Sequence, residues 1–270
     1  MRSRVGALSN RSQAATFLCY HSVAHHGPPF LSVTPEAFER QLHLLRSRDY
    51  LSGTVETLRA IRGGGRLTRR HVFLTFDDGY RDNFTEALPL LEAYGFSATV
   101  FVLPPYVDRG ADLDWPGLRD EARATFPEVM RSMDWTMVEA LAEAGCEIGS
   151  HTLRHPRLPQ LGDEELHQEL LDSRRRVSER LGSCDLVAYP FGEWSARVAQ
   201  ASRAAGYSFG YSLPFSRPLR TSPMAIPRLP VDHRDDGERF ALKLRPGVRR
   251  LYFLSRAVRA RRAQSPGGDA

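Results

Sequence analysis

Short apolar runs alternate with longer amphipathic segments along most of the chain. Predicted strands occupy 15–20, 72–76, 97–103, 146–150, the start of 185–192 and 225–229. Predicted helices occupy 35–48, 55–62, 83–94, 136–144, 163–181 and 195–205, where apolar residues recur at helical spacing. Such alternation is typical of parallel β-α units, and about six or seven units in one chain favour a barrel over an open sheet.

Local signals mark where several helices begin and end. Thr34 followed by Pro35 predicts an N-cap and first helical residue. Pro89 within 83–94 predicts a kink or a late helix start. We predict a single domain over 13–244, with a surface insertion at about 104–133, preceded by a short extension at 1–12 and followed by a basic tail at 245–270.

The charge of the chain is unevenly distributed. The net charge is +5, and the arginine-rich segment 243–262 contains much of the excess. Because these residues form a tail and no recognisable reading module, we expect no binding to nucleic acid. The tail is interpreted either as a solvated helix face or as a peripheral contact with an anionic membrane.

Cysteine usage and the N-terminal sequence bear on the expected compartment. The chain has three cysteines without C-x-x-C spacing, so we expect reduced, buried thiols. No apolar segment has the pattern of a signal peptide or approaches the roughly 18 residues of a membrane helix. We expect a cytoplasmic protein, located at the inner face of the membrane if the tail binds lipid.

Polar side chains follow the predicted strands. His21, the pair Asp77 and Asp78, the pair His151 and His155, and the turn 190–192 each come after a different strand. Because parallel strands open at their carboxyl ends on one face, residues far apart in sequence can meet there.

His151 and His155 are four positions apart, a spacing that can bring two imidazoles to one ion. Taken alone, this spacing favours two surface histidines over a metal site. Two histidines with one carboxylate form a common catalytic zinc set with an open position for water. Asp78, at a neighbouring strand end, makes that reading the favoured one.

Asp77 and Asp78 end a buried-looking strand and precede Gly79. Adjacent residues at a strand end point in different directions, so the two cannot flank one bond as a glycosidase pair does. One aspartate could bind a metal while the other acts on water. The alternative is an Asp-Gly turn with a solvated second aspartate.

Three motifs carry a family resemblance: TFDDG at 75–79, SHTLRHP at 150–156 and YPFG at 189–192. In this order they resemble the polysaccharide deacetylases, the NodB-homology or carbohydrate esterase family 4 group, and the similarity extends over roughly 16–232. The resemblance implies a distorted (β/α) barrel of about seven parallel strands. It also implies metal-dependent hydrolysis of N-acetyl groups on sugars.

The resemblance also implies roles for individual positions. Asp77 matches the catalytic base, and Asp78, His151 and His155 match the metal ligands. The segment Tyr189, Pro190 and Phe191 matches the wall of the substrate pocket, where the backbone N–H of Phe191 would face the developing oxyanion. The implied ion is divalent, Zn²⁺ first, with Co²⁺, Ni²⁺ and Mn²⁺ as alternatives.

The sequence departs from the family pattern at two places. The third motif usually starts with an arginine that orients the base, but Ala188 and Tyr189 stand there, and Arg228 is the candidate substitute. The late histidine that usually serves as general acid has no clear match. His233 is the nearest in order, and His21 is the alternative.

The expected function is therefore removal of N-acetyl groups from an amino sugar in a polysaccharide, oligosaccharide or glycoconjugate. The expected partner is that N-acetylated glycan. Two alternatives remain: an amidohydrolase acting on a small non-sugar amide, and an inactive relative that binds glycan.

Overall fold

Parallel strands form the centre of the structure, a computed structural model in which residues 15–116, 118, 120–213 and 222–263 are described. The predicted extension 1–12 and the end of the tail after Ser265 lie outside the described residues. Within the described residues the strands are β1 (Ala15–Tyr20), β2 (Ser22–Val23), β3 (Ser32–Val33), β4 (Leu51–Ser52), β5 (His71–Phe76), β6 (Thr99–Val102), β7 (Glu147–Ser150), β8 (Leu186–Ala188), β9 (Phe209–Ser212), β10 (Ile226–Pro227) and β11 (Leu229–Pro230).

Helices connect and cover these strands. They are α1 (Pro35–Ser47), α2 (Val55–Arg62), α3 (Leu88–Tyr94), α4 (Pro104–Val107), α5 (Asp120–Thr125), α6 (Trp135–Glu143), α7 (Asp163–Leu181), α8 (Ala196–Ala204), α9 (Gly237–Lys243) and α10 (Pro246–Ala263). A π-helical turn, Asn83–Ala87, precedes α3, and 3₁₀ turns occupy Leu158–Gln160 and Pro190–Gly192.

Eight strands form one parallel path in the order β10-β9-β8-β7-β6-β5-β1-β11, and β4 pairs with β5 beside this path. The end strands β10 and β11 are two halves of one segment. The first half pairs with β9, the second pairs with β1, and Arg228 lies between them. This segment nearly closes the sheet, and the predicted α/β barrel is confirmed.

Side chains alternate between two faces of the barrel wall, as a two-residue strand period requires. In β5, Phe73 belongs to an interior cluster with Phe101 and Tyr211 from other strands. Val72 and Leu74 belong to the larger core between the barrel and its helices. Both faces of β5 are therefore buried, which explains its nearly continuous apolar run.

The predicted helix boundaries are reproduced within one residue for most helices. The Thr34 side chain accepts the N–H of Ala37 and caps α1, and Pro35 is the first helical residue. α3 starts at Leu88 with Pro89 in its first turn, so the late start is the correct alternative. The predicted strands do not include β2, β3, β4 and β9, because these segments lack a long apolar run with turn signals.

The segment 104–133 carries its own small core against the rim of the barrel. Leu113, Trp115 and Met130 pack there with Tyr80, which follows the first aspartate motif. The segment therefore contributes buried side chains beside the strand ends, which its interpretation as a surface insertion did not anticipate.

The tail beyond residue 244 begins as a helix that is joined to the barrel. The side chain of Arg249 in α10 is buried and donates to the carbonyl of Ala15 and the hydroxyl of Thr16. These residues start β1, so α10 is anchored at the end of the barrel opposite the strand carboxyl ends. Among the described residues, no helix combines the length and apolar character needed to cross a bilayer.

Candidate active site

Asp77 continues the inward alternation of β5 and reaches the inside of the barrel mouth. Its two carboxylate oxygens accept hydrogen bonds from the guanidinium of Arg228 at 2.6 and 2.7 Å. Arg228 also donates to the hydroxyl of Thr75 at 2.9 Å and lies over the rings of Phe101 and Tyr211. The segment that closes the barrel thus places the fully buried guanidinium of Arg228 beside Asp77.

The electrostatics of this pair favour the charged form of both partners. Burial alone would raise the pKa of Asp77, but Arg228 and His151 hold it far below its ordinary value. Burial alone would lower the pKa of Arg228, but Asp77 raises it above its ordinary value. Since a lone buried charge is costly, each partner requires the other.

The neighbouring Asp78 meets the two predicted histidines. Its Oδ1 lies 3.2 Å from Nε2 of His151 and 3.5 Å from Nε2 of His155. All three side chains are buried, and their ligand atoms lie within 4.8 Å of one another. The sequence predicts that these three side chains meet, and the structure brings them together.

The donor atoms of this trio suit a divalent ion. Nδ1 of His151 lies 2.8 Å from the carbonyl of Ala188, which fixes a tautomer with its proton there and leaves Nε2 as a lone-pair donor. Oδ1 of Asp78 is buried without a hydrogen-bond partner, as is Nδ1 of His155. Two imidazole nitrogens and a carboxylate oxygen that converge in this way are a typical zinc donor set.

Burial and the neighbouring charges act differently on the two histidines. Burial, the largest cause, lowers the pKa of His155 to about 3, so its ring is neutral and able to bind an ion. Burial also lowers the pKa of His151, but Asp77 and Asp78 outweigh it and the net pKa is raised. An incoming cation would therefore compete with a proton at His151.

The backbone around the site is strained. Five non-glycine residues among those described have positive φ, and four of them are at the site: Asp78 (72°), Thr152 (72°), His155 (59°) and Phe191 (58°). Such conformations cost of the order of 1–3 kcal/mol each and persist only where the surroundings enforce them. Two of the four are predicted metal ligands, so the strain lies in the residues that aim the donor atoms.

Aromatic rings enclose His155. The centroid of the Trp115 ring lies 4.5 Å from that of the His155 ring, and the centroid of the Phe191 ring lies 4.7 Å from it. Arg157 in turn lies over the ring of Phe191. The sequence carries no signal that brings Trp115 to the site, because this residue lies in the segment predicted to be a surface insertion.

Phe191 and its neighbours divide between the site and the core. The backbone N–H of Phe191 donates to no acceptor within the described residues, and Pro190 is buried beside it. Tyr189 faces the opposite side of the wall: its ring has no exposure and its hydroxyl donates to the carbonyl of Met224. This corrects the expectation for Tyr189, because its ring has no face open to a substrate.

His21 lies in the site. A ligand atom of its ring lies within 4.8 Å of both the Asp77 carboxylate and the thiol of Cys19, and the thiol donates to Asp77 at 3.3 Å. These three side chains do not suit a second ion, because the Arg228 cation already occupies both oxygens of Asp77.

His233 is placed differently. Its side chain is 50% exposed, and its recorded contacts are with the carbonyl of Pro29 and the carboxylate of Asp232. The described contacts therefore bring His21, and not His233, to Asp77. All three cysteines are buried free thiols, as expected.

Comparisons with known proteins identify relatives of this chain. A family model described as polysaccharide deacetylase matches residues 64–210, which include Asp77, Asp78, His151 and His155. A Bacillus subtilis protein provisionally named polysaccharide deacetylase YxkH is 27% identical over 72% of this chain and 62% of its own length. The poly-β-1,6-N-acetyl-D-glucosamine N-deacetylase of Escherichia coli is 23% identical over 80% of this chain and 36% of its own length.

The fold has a solved counterpart. The deacetylase PplD of Streptococcus pyogenes, solved in complex with acetate, superposes with a TM-score of 0.73 at 20% identity, covering 86% of this chain and 98% of that one. At this identity the likeness supports the fold. The chain spans less than two thirds of the length of the two sequence relatives.

Proposed function

The chain belongs to the polysaccharide deacetylase family, and from this premise we propose that it hydrolyses the N-acetyl group of an amino sugar within a glycan or glycoconjugate. One observation carries the proposal: a buried Asp78, His151 and His155 donor set lies beside a second buried carboxylate, Asp77, which is paired with an arginine. This combination would provide an ion site and a proton acceptor side by side.

Asp78, His151 and His155 would hold the ion. A divalent ion there, with Zn²⁺ the first choice, would supply Lewis-acid polarisation of the acetyl carbonyl and lower the pKa of a bound water. The neutral ring of His155 and the fixed tautomer of His151 prepare both histidines as ligands.

Asp77 would accept the proton of the attacking water. The two hydrogen bonds from Arg228 fix the plane of the carboxylate and keep it ionised. Oδ2 also accepts from the Cys19 thiol, so Oδ1 is the oxygen with a second lone pair for the proton of water. Position 188, where the family pattern places an arginine, holds an alanine whose side chain belongs to the interior cluster. Arg228 would therefore take over the orienting role from a different inward-facing strand position.

Two further groups would complete the reaction. The N–H of Phe191, which has no acceptor among the described residues, would donate to the developing oxyanion. His21 would protonate the leaving amine, since an amide nitrogen leaves poorly as an anion. The contacts of Asp77 favour His21 over His233 for this role.

Metal analysis combined with an acetate-release screen tests the proposal. The screen would use N-acetylated glycans, oligosaccharides, free N-acetyl amino sugars and small non-sugar amides. Asp77→Asn should keep its bound ion but lose roughly 10²- to 10⁴-fold in acetate release, the usual contribution of a general base. Asp134→Asn, which alters only the N-cap of α6, is the matched control and should remain active.

The outcomes separate the alternatives. Release of acetate only from non-sugar amides would favour the amidohydrolase. Tight glycan binding without acetate release from any compound would favour the inactive binding relative. Near-normal turnover by Asp77→Asn would refute the assignment of the base.

Peripheral contact with an anionic membrane is a second part of the proposal. In α10, Leu251 is 68% exposed and follows the exposed Arg250. Further arginines follow in the sequence at positions 256, 259, 261 and 262. A bound surface would face away from the strand carboxyl ends, since Arg249 anchors α10 at the other end of β1. Sedimentation with phosphatidylglycerol vesicles should fall for Leu251→Glu. Equal sedimentation of this variant and the parent protein would remove the membrane contact.

A further inference from the structure

Glu169 lies in α7, outside the three motifs, and its side chain has no exposure. Its Oε1 accepts the backbone N–H groups of Leu153 and Arg154 at 2.8 and 2.6 Å. Its Oε2 accepts a hydrogen bond from Nε of Arg154 at 3.1 Å. The carboxylate therefore fills the concave side of the loop that joins the two histidines.

The backbone donors of this loop have a complete set of acceptors. The N–H of Thr152 donates to the hydroxyl of Ser150, and the N–H of His155 donates to the hydroxyl of Thr152. The two remaining N–H groups between them are those bound by Glu169. The hydroxyl acceptors belong to residues next to or within the loop, whereas Glu169 is contributed by the helix α7.

The loop conformation requires such support. Thr152 and His155 both have positive φ, which side chains with a Cβ disfavour. Successive N–H groups in this kind of turn form a concave anion-binding nest. In this chain the anion is the carboxylate of Glu169 from α7. It binds the two backbone N–H groups that directly precede His155.

We propose that Glu169 is a positioning residue that sets the affinity of the Asp78, His151 and His155 site for its ion. It makes no contact with the ion position and acts through the backbone of the loop. The inference rests on the proposed function, because it assumes that the trio binds a divalent ion.

Zn²⁺ affinity of the metal-free protein, measured by competition with a chromophoric chelator, tests the proposal. Glu169→Ala should bind Zn²⁺ about 10- to 100-fold more weakly, as outer partners of metal ligands generally do. Glu169→Gln should lose less than about tenfold, because its amide oxygen keeps both hydrogen bonds without the charge assistance. Arg154→Ala leaves the backbone bonds in place and should bind nearly as tightly as the parent protein.

Val177→Ala is the matched stability control, since Val177 is fully buried in the same helix two turns away. It should lower the Tm without changing Zn²⁺ affinity. Amide hydrogen exchange should accelerate at Leu153 and Arg154 in both Glu169 variants, and not in Val177→Ala. If Glu169→Ala fails to fold, Glu169→Gln decides the question: a loss of Zn²⁺ affinity of about two- to tenfold supports the inference, and an affinity within about twofold of the parent protein overturns it.

Zn²⁺ affinity within about twofold of the parent protein in a folded Glu169→Ala would overturn the inference and leave Glu169 a purely structural residue. A parent protein that binds no Zn²⁺, or an Asp78→Asn variant that binds it equally well, would overturn the ion site and this inference with it. The two failures are distinguishable, because only the first leaves binding that depends on Asp78.

Discussion

Replacing Arg228 by methionine removes the guanidinium but keeps an unbranched chain between Phe101 and Tyr211. The variant leaves Asp77 buried without its two hydrogen bonds of 2.6 and 2.7 Å. Removing one partner of a buried ion pair costs about 3–5 kcal/mol. At roughly 2–4 °C per kcal/mol for a chain of this size, the Tm should fall by about 6–20 °C at neutral pH.

The loss should depend on pH in a defined direction. In the parent protein the pKa of Asp77 is depressed, so the pair contributes stability above the ordinary aspartate range and loses it as pH falls. In the variant, burial without a cation raises that pKa, so the folded protein retains a proton to higher pH. Above the ordinary aspartate range the contribution in the parent protein is already complete. The difference in unfolding free energy should therefore be smaller in mild acid, where the variant still holds the proton, and grow as the pH rises through the raised pKa of Asp77 in the variant.

Urea denaturation of metal-free protein between pH 4 and pH 8 measures this difference, and the pH dependence of acetate release provides a second readout. The acidic limb of the activity profile should move to higher pH in Arg228→Met. Val177→Ala is the control, because it removes buried apolar volume and no charge, so its loss of stability should not vary with pH. A stability loss in Arg228→Met that is constant across pH, or an unmoved acidic limb, would refute the reasoning.

Three further predictions concern the turn after the third motif, the aromatic wall and the ion. Gly192→Ala should destabilise the protein by more than the roughly 1 kcal/mol expected of Gly182→Ala: both have positive φ, but a Cβ at 192 would lie 2.3 Å from its nearest neighbour and one at 182 meets nothing within 4 Å. Equal urea midpoints would contradict this. Co²⁺ should quench the fluorescence of Trp115, because its ring centroid lies 4.5 Å from that of His155. Trp115→Phe should abolish most of the quenching. Unchanged quenching in this variant would show that the ion binds elsewhere. Zn²⁺ at 1,000 times its Kd should stabilise the protein by about 4 kcal/mol, reversibly with chelator, and an unchanged Tm would contradict an ion site in the native state.

The alignment of the motif residues could be predicted because it follows from parallel strands. Asp77, Asp78 and His151 each come directly after a buried strand, and parallel strands present their carboxyl ends on one face. That Asp77 faces inward follows from the two-residue alternation that starts at Phe73. These features depend on local pattern, which the sequence carries directly.

Other features depend on how distant segments meet. Arg228 lies outside the segment that matches the family, and its pairing with Asp77 depends on the register of the closing strand against β9 and β1. Trp115 reaches His155 only through the folding of the segment 104–133. The positive φ of Phe191 could not be predicted, because residue preferences argue against it.

The closing segment has a consequence for how the protein is made. Arg228 follows Asp77 by 151 positions, so at roughly 5–20 residues per second it leaves the ribosome about 8–30 s later. The ion ligands and the two groups that support them, Glu169 and the carbonyl of Ala188, have all emerged by position 188, whereas the partner of Asp77 arrives only with the closing segment. We therefore expect a nascent chain to acquire its capacity to bind an ion before its capacity to hydrolyse an amide, and a product that terminates before Arg228 to retain every ion ligand while lacking the cation that keeps Asp77 ionised.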